Sequence, residues 1–170
     1  MRILVYGFGP YRQYRDNITA RIIRALPKQP GVTKIVLPVR FQRRQFVNLL
    51  NRHKPEIILG LGQSSRRRID LERRAKNRRR ARETATPKPI FERRPRFLST
   101  TLFTQRIRSV GQSDDAGDYV CNYSMYVLLD EINRKDSKTR LGFMHIPHDY
   151  ADGKALTIVQ EIIDRCRPVE

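Results

Sequence analysis

Apolar positions recur along the chain in two alternating rhythms. The run Ile3-Leu4-Val5, closed by Gly7-Phe8-Gly9-Pro10, reads as a buried strand ending in a sharp turn. Asn17 is placed to cap a helix running to about Leu26, because Ile18, Ile22, Ile23 and Leu26 fall at helical spacing and Pro27 stops it. Lys34 to Val39 predicts a second strand, and Phe46, Leu49 and Leu50 after Gln42 predict an amphipathic helix. Ile57-Ile58-Leu59 before Gly60-Leu61-Gly62 is a third strand with a glycine-containing exit. Further on, a helix from about Asp118 to Arg134 offers Val120, Tyr123, Val127, Leu128 and Ile132 for burial. Gly142 to Ile146 reads as a buried strand ending at Pro147, and Ala155 to Cys166 as a last helix with Ile158, Ile162 and Ile163 inward. Strands alternating with helices favour an α/β fold with a largely parallel sheet covered on both faces. Ligands of such sheets gather where loops leave the carboxyl ends of the strands.

The stretch from about 63 to 97 breaks this rhythm. Apart from Ile69 and Leu71 it has little periodicity, and with Pro87, Pro89 and Pro95 it predicts a short strand followed by a long loop. No repeat or linker divides the chain, so residues 1–170 are expected to form a single domain carrying an Arg-rich loop segment. At 170 residues and 39% apolar content there is material for one core. No run approaches the roughly 18 apolar residues of a membrane span. The opening MRILVYGFG is too short and too quickly polar for a signal peptide. These features predict a cytoplasmic protein with no membrane partner. Cys121 and Cys166 are far apart and match no metal-binding spacing, so neither zinc, nor a disulfide framework, nor any other cofactor is expected.

Charge changes the picture. Lys and Arg number 35 against 17 Asp and Glu, a net charge of +18. The excess is concentrated between Arg66 and Arg96, with arginines at 66 to 68, 73, 74, 78 to 80, 82, 93, 94 and 96. Such density attracts polyanions through counterion release, so non-specific nucleic-acid association at low salt is expected whatever the main function. With no recognition-helix or RNP pattern beside them, the arginines read first as a solvated cationic face.

Candidate chemistry lies in AGDYVCNYSMY and GFMHIPH. Cys121 falls in the first turn of a predicted helix, where unpaired amide groups stabilise a thiolate. His145, at the end of a strand, is placed to act as base and later to protonate a leaving amine, with a carboxylate fixing its tautomer. The residues alone name too many carboxylates for that third place. Cys166 reads as a small buried filler.

Several blocks, in order, resemble the pyroglutamyl-peptidase I family of cysteine exopeptidases. ILVYGFGPY is similar to its strand followed by Gly-Phe-acid-Pro-Phe, with Asn17 and Thr19 resembling its Asn-Pro-Thr or Asn-Pro-Ser. LPVRF matches its second-strand block, and IILGLGQ followed by IDLERRAKN resembles the third strand and a Glu-Arg-x-Ala-x-Asn motif. AGDYVCNYSMY is nearly the nucleophile motif, and GFMHIPH resembles Gly-Phe-x-His-Val-Pro. The resemblance implies a three-layer α/β/α sandwich. It also implies a catalytic set of Cys121, His145 and Glu72, and a peptide or protein substrate with an N-terminal pyroglutamate. By the same resemblance Phe8 and Tyr11 would sandwich the lactam ring, backbone groups around Gln63 would hydrogen-bond it, and Arg82 would stand near the developing oxyanion. Relatives of this kind assemble into homo-oligomers, which a dense positive face would oppose.

The chain also departs from the pattern. Gly9 replaces an acid, Arg12 a glycine and Leu102 a proline, and the segment after Arg82 is altered, so the specificity loops are expected to differ. Asp114, Asp115 and Asp118 precede the cysteine and would oppose thiolate formation if they faced it uncompensated. A second function is therefore carried beside the peptidase: a weakened or inactive relative that grips nucleic acid or an acidic partner through its arginines.

Overall fold

The computed structural model describes residues 1–11, 15–82, 84–103, 107 and 110–167; Arg12 lies outside them. In chain order the elements are β1 (Ile3–Phe8), α1 (Ile18–Ala25), β2 (Val32–Leu37), α2 (Arg43–His53), β3 (Ile57–Ser64), β4 (Asp70–Glu72), β5 (Arg74–Lys76), β6 (Phe97–Ser99), β7 (Gly111–Ser113), α3 (Val120–Arg134), β8 (Arg140–Pro147) and α4 (Asp152–Cys166). Six strands form one sheet in the order β2-β1-β3-β8-β4-β7. β2, β1, β3 and β8 run parallel, β4 pairs antiparallel with β8, and β7 runs parallel to β4. β5 and β6 form a separate antiparallel pair.

Period-two alternation along the central strands produces two cores, one on each face of the sheet. On one face Leu4, Tyr6, Phe8, Ile58, Leu141 and Phe143 pack against Phe46, Leu49 and Leu50 of α2 and Val120 to Ile132 of α3. On the other, Ile3, Val5, Ile57, Leu59, Leu61, Met144 and Ile146 pack against α1 and α4. This is the three-layer α/β/α arrangement expected. Each large apolar side chain so buried contributes about 1.5–3 kcal/mol from water exclusion alone.

The β1–α1 junction is fixed by side-chain hydrogen bonds. Asn17 caps α1 by accepting from the Thr19 amide at 3.0 Å and donates from Nδ2 to the Gly9 carbonyl at 3.1 Å. The Thr19 hydroxyl in turn accepts from the Phe8 amide at 2.9 Å. Gly7 permits this close approach, since a Cβ there would lie 2.8 Å from both Thr19 Oγ1 and Ile23 Cδ1.

The Arg-rich segment is more structured than a short strand and a long loop. It holds β4, β5 and a bridge between Arg79 and Lys88, and β6 follows directly. Asn77 ties it together: its Oδ1 accepts from the Ile90 and Phe91 amides at 2.9 and 3.0 Å, and its Nδ2 donates to the Phe91 carbonyl at 2.8 Å. The Tyr126 hydroxyl of α3 donates to the Pro95 carbonyl at 2.5 Å and fastens the far end. Among the described residues no helix is long and apolar enough to cross a membrane.

Candidate active site

The full-length pairing of β3 with β8 sets Gly62 beside His145. His145 shares the parity of Leu141 and Phe143, so its ring enters the layer occupied by α3. That helix begins with Tyr119 as its N-cap, which puts Cys121 second in the first turn, among the amide groups left unpaired by the helix. A Cβ built on Gly62 would lie 2.8 Å from Cys121 Sγ, 2.8 Å from His145 Cδ2 and 2.8 Å from Phe143 Cε1. The hydrogen at position 62 is thus what lets sulfur and imidazole meet. Gly62→Ala is expected to displace one of them by a fraction of an ångström and lower kcat about a hundredfold with the fold retained. Steady-state kinetics of amide hydrolysis beside circular dichroism check this; unchanged kcat would mean the contact has no catalytic consequence.

β4 supplies the carboxylates. Its antiparallel register places Asp70 opposite His145 and Glu72 opposite Phe143, yet the imidazole bonds diagonally to Glu72, with Nδ1 2.6 Å from Oε1. Arg66 donates from Nη1 to the same Oε1 at 2.7 Å and to Asp70 Oδ2 at 3.3 Å, while Arg68 Nε holds Asp70 Oδ1 at 2.9 Å. Asp70 is therefore engaged by two guanidiniums, leaving Glu72 as the imidazole's partner. Glu72 is fully buried. Burial pushes its carboxyl up, but the hydrogen bond and charge of His145, then the Ser113 hydroxyl and the Arg66 charge, outweigh it and hold the group below the usual carboxylate range. For His145, burial favours the neutral ring, but Cys121 and Glu72 reverse that and raise its pKa from 6.5 to about 9.

The acids before the cysteine do not face it uncompensated. Asp114 pairs with Arg73, Asp115 with Lys76 Nζ at 2.7 Å, and Asp118 with Arg80 Nε at 2.9 Å. Asn122 fixes the helix start to β5, accepting from the Lys76 amide at 2.8 Å and donating to the Lys76 and Arg78 carbonyls at 2.9 and 2.8 Å. Reading the sequence alone missed Asn77, Asn122, Gly62 and Arg66 as site-building residues. The first three lie inside motifs already singled out, but nothing distinguishes Arg66 within its arginine run.

Cys121 and His145 open into a cavity of about 630 Å³ at the carboxyl ends of β3 and β8. Gln63, Ser64 and Tyr119 line it, together with Arg66, Arg80, Arg82, Asp115 and Asp118. Arg82 is exposed and makes no ion pair among the described residues. Gln63 Oε1 accepts from the Ile18 amide at 3.0 Å, and Ser64 Oγ is buried without a hydrogen-bond partner among the described residues. The two aromatic candidates separate. Phe8 is 2% exposed and lies edge-on to Tyr6 in the core, away from the cavity lining. Tyr11 backs the cavity indirectly, its ring 5.1 Å from that of Tyr119 and its hydroxyl accepting from the Tyr119 hydroxyl. Among the described residues no cluster of three His, Cys, Asp or Glu side chains has metal-binding geometry.

Comparison with known proteins places this architecture. The structure is similar to that of a mutant pyrrolidone carboxyl peptidase from Pyrococcus furiosus, with a TM-score of 0.88 and 27% sequence identity over 96% of this chain and 97% of the other. A relative from Thermococcus onnurineus named pyrrolidone-carboxylate peptidase is 30% identical over 188 aligned residues, 99% of this chain and 90% of its own. One of the same name from Streptococcus suis is 30% identical over 86% of this chain and 78% of its own. Fold and relatives together define the class as that of the cysteine peptidases. Within it, the model of the Pyroglutamyl peptidase family matches residues 1–93 and 98–155, and the chain belongs to that family.

Proposed function

We propose that this protein hydrolyses the amide bond following an N-terminal pyroglutamate, with Cys121 as nucleophile, His145 as proton carrier and Glu72 as the group that orients it. The observation that carries this reading is the convergence of thiol and imidazole at Gly62, with a buried carboxylate on the imidazole's other side, at a cavity that Gln63, Ser64 and Tyr119 help to line. The Cys121 thiolate attacks the pyroglutamyl carbonyl. The oxyanion develops beside the unpaired amides of the α3 first turn and the exposed guanidinium of Arg82. The imidazolium then gives its proton to the departing amine nitrogen as the C–N bond breaks, leaving a thioester on Cys121.

Acylation itself prepares the second half-reaction. The sulfur is one of the two groups that raise the His145 pKa, and an acylated sulfur carries no negative charge. The ring therefore stays neutral once it has given up its proton and is available to take one from water, whose oxygen attacks the thioester and releases pyroglutamate and the thiolate.

A neutral lactam suits the lining. Ser64 Oγ and backbone groups around Gln63 supply hydrogen bonds, and Tyr119 backed by Tyr11 supplies an aromatic face. The ammonium of an N-terminal glutamine would have to be desolvated beside three arginines. Purified protein should cleave a pyroglutamyl anilide, leave the glutaminyl anilide intact and lose activity on thiol alkylation; cleavage of both substrates at similar rates would sink the reading.

The pH profile is a sharper check. His145 keeps its proton below about 9 and loses it above, so kcat/KM should fall on the alkaline side with a midpoint near that value. A descending limb near the unperturbed imidazole value of about 6.5 would separate the imidazole from the thiol and carboxylate. The intact Cys121–His145–Glu72 constellation favours peptidase activity over a purely cationic binding role.

A further inference from the structure

Beside the active-site cavity lies a second groove, of about 550 Å³, whose charge the hydrolysis of a neutral lactam does not explain. Arg74, Lys76, Arg78, Lys88 and Arg96 line it around Phe97, and no carboxylate is among its described lining residues. Arg74 and Arg96 stack their guanidiniums on the Phe97 ring, 4.5 and 5.2 Å from its centroid, which holds both cations at the groove wall. Lys88 and Arg96 have no carboxylate partner among the described residues, and the nearest for Arg74 is Asp114 at 3.8 Å.

Two contacts tie the groove to the nucleophile. Arg78 from the groove and Arg80 from the active-site cavity hold the same Asp118 carboxylate, with Nε at 3.6 and 2.9 Å respectively, so the two spaces share a wall. The groove floor is β5, hydrogen-bonded on both sides of Lys76 to the side chain of Asn122, the residue after Cys121. A peptide whose first residue sat in the active site and whose leaving portion ran along this wall would present its following side chains to the groove.

We propose that the groove is a subsite for acidic side chains in the residues following the pyroglutamate, making the protein selective for peptides with an acidic stretch near the N-terminus. This rests on the pyroglutamyl-peptidase reading. Lys88 and Arg96, which have no carboxylate partner among the described residues, attract carboxylates and repel lysines, and continuity with the active site favours a peptide over a nucleic acid as occupant.

Three pyroglutamyl peptides of equal length, with downstream residues all Glu, all Gln or all Lys, provide the test beside the neutral pyroglutamyl anilide. At low salt KM for the Glu peptide should be about tenfold below that for the Gln peptide, as expected of two or three partly exposed ion pairs, and the Lys peptide should be poorest. High salt should erase the ranking. The double variant Lys88→Glu and Arg96→Glu should lose the preference while cleaving the anilide normally. Equal kcat/KM for the three peptides, or a Glu preference that survives the double variant, overturns the proposal. So does inhibition of peptide cleavage by a single-stranded oligonucleotide without any Glu preference, which would assign the groove to nucleic acid. If the anilide is not cleaved at all, the hydrolase reading fails by itself. Fluorescence anisotropy of the labelled Glu peptide then tests the groove: binding lost in the double variant supports the acidic subsite, and no binding to either protein overturns it.

Discussion

Cys121→Ala is expected to remove turnover of a pyroglutamyl anilide, a loss on the order of a millionfold where the nucleophile of a covalent mechanism is deleted. The sulfur occupies the one place where three constraints meet: unpaired amides of the α3 first turn, the imidazole of His145 and the space left by Gly62. No other side chain can take over. Cys166 lies with the α1 and α4 core on the opposite face of the sheet, and burial pushes its thiol up, away from thiolate. Cys166→Ser should therefore leave turnover and alkylation sensitivity unchanged, and the Cys121 variant should keep its circular dichroism spectrum because a half-buried thiol contributes little packing. Measurable thiol-dependent cleavage by the alanine variant would remove the proposed chemistry.

The second large effect belongs to Glu72→Gln. A carboxylate 2.6 Å from Nδ1 fixes which ring nitrogen carries the proton and stabilises the imidazolium. An amide keeps the shape but loses the charge, and it can present an N–H to Nδ1 and so favour the other tautomer. By analogy with the loss seen when the orienting acid of a catalytic triad is neutralised, kcat/KM should drop about ten-thousandfold. The direction of the pH response is also set. Glu72 is one of the groups raising the His145 pKa, so its neutralisation should move the alkaline limb to lower pH. Asp70, directly opposite His145 in the strand register, is occupied by Arg66 and Arg68 and should not rescue the variant. A Gln variant with near-normal rate and an unmoved alkaline limb would show that the carboxylate is structural.

The arginines bear on the same balance. Arg66 braces Glu72 and Asp70 together, and Arg73, Lys76 and Arg80 neutralise the acids that precede Cys121. Part of the positive excess is thus an internal counterweight, whereas Arg82 in the cavity and Lys88 and Arg96 in the groove have no carboxylate partner among the described residues. Replacing the arginine-rich segment wholesale would disturb both roles at once, which is why substitutions confined to Lys88 and Arg96 are the informative ones.

Local pattern determined much of this molecule. The alternation of apolar strands with amphipathic helices was readable because period two and period 3.6 leave distinct marks: Ile3, Val5, Ile57 and Leu59 face one layer, and Leu4, Tyr6 and Ile58 the other. The helical position of Cys121 and the strand-end position of His145 were legible for the same reason, and the resemblance of ordered motifs pointed to Glu72. What only the tertiary structure decided is which distant short segments pair. β4, β5, β6 and β7 are three residues each, too short to carry a rhythm of their own, and their partners lie tens of residues away. Those pairings turn β4 antiparallel against β8, choose Glu72 over Asp70 for the imidazole, leave Phe8 in the core, and place Lys88 and Arg96 in a groove beside the thiol. Such choices depend on hydrogen bonds and charges between segments remote in sequence, and no local periodicity records them.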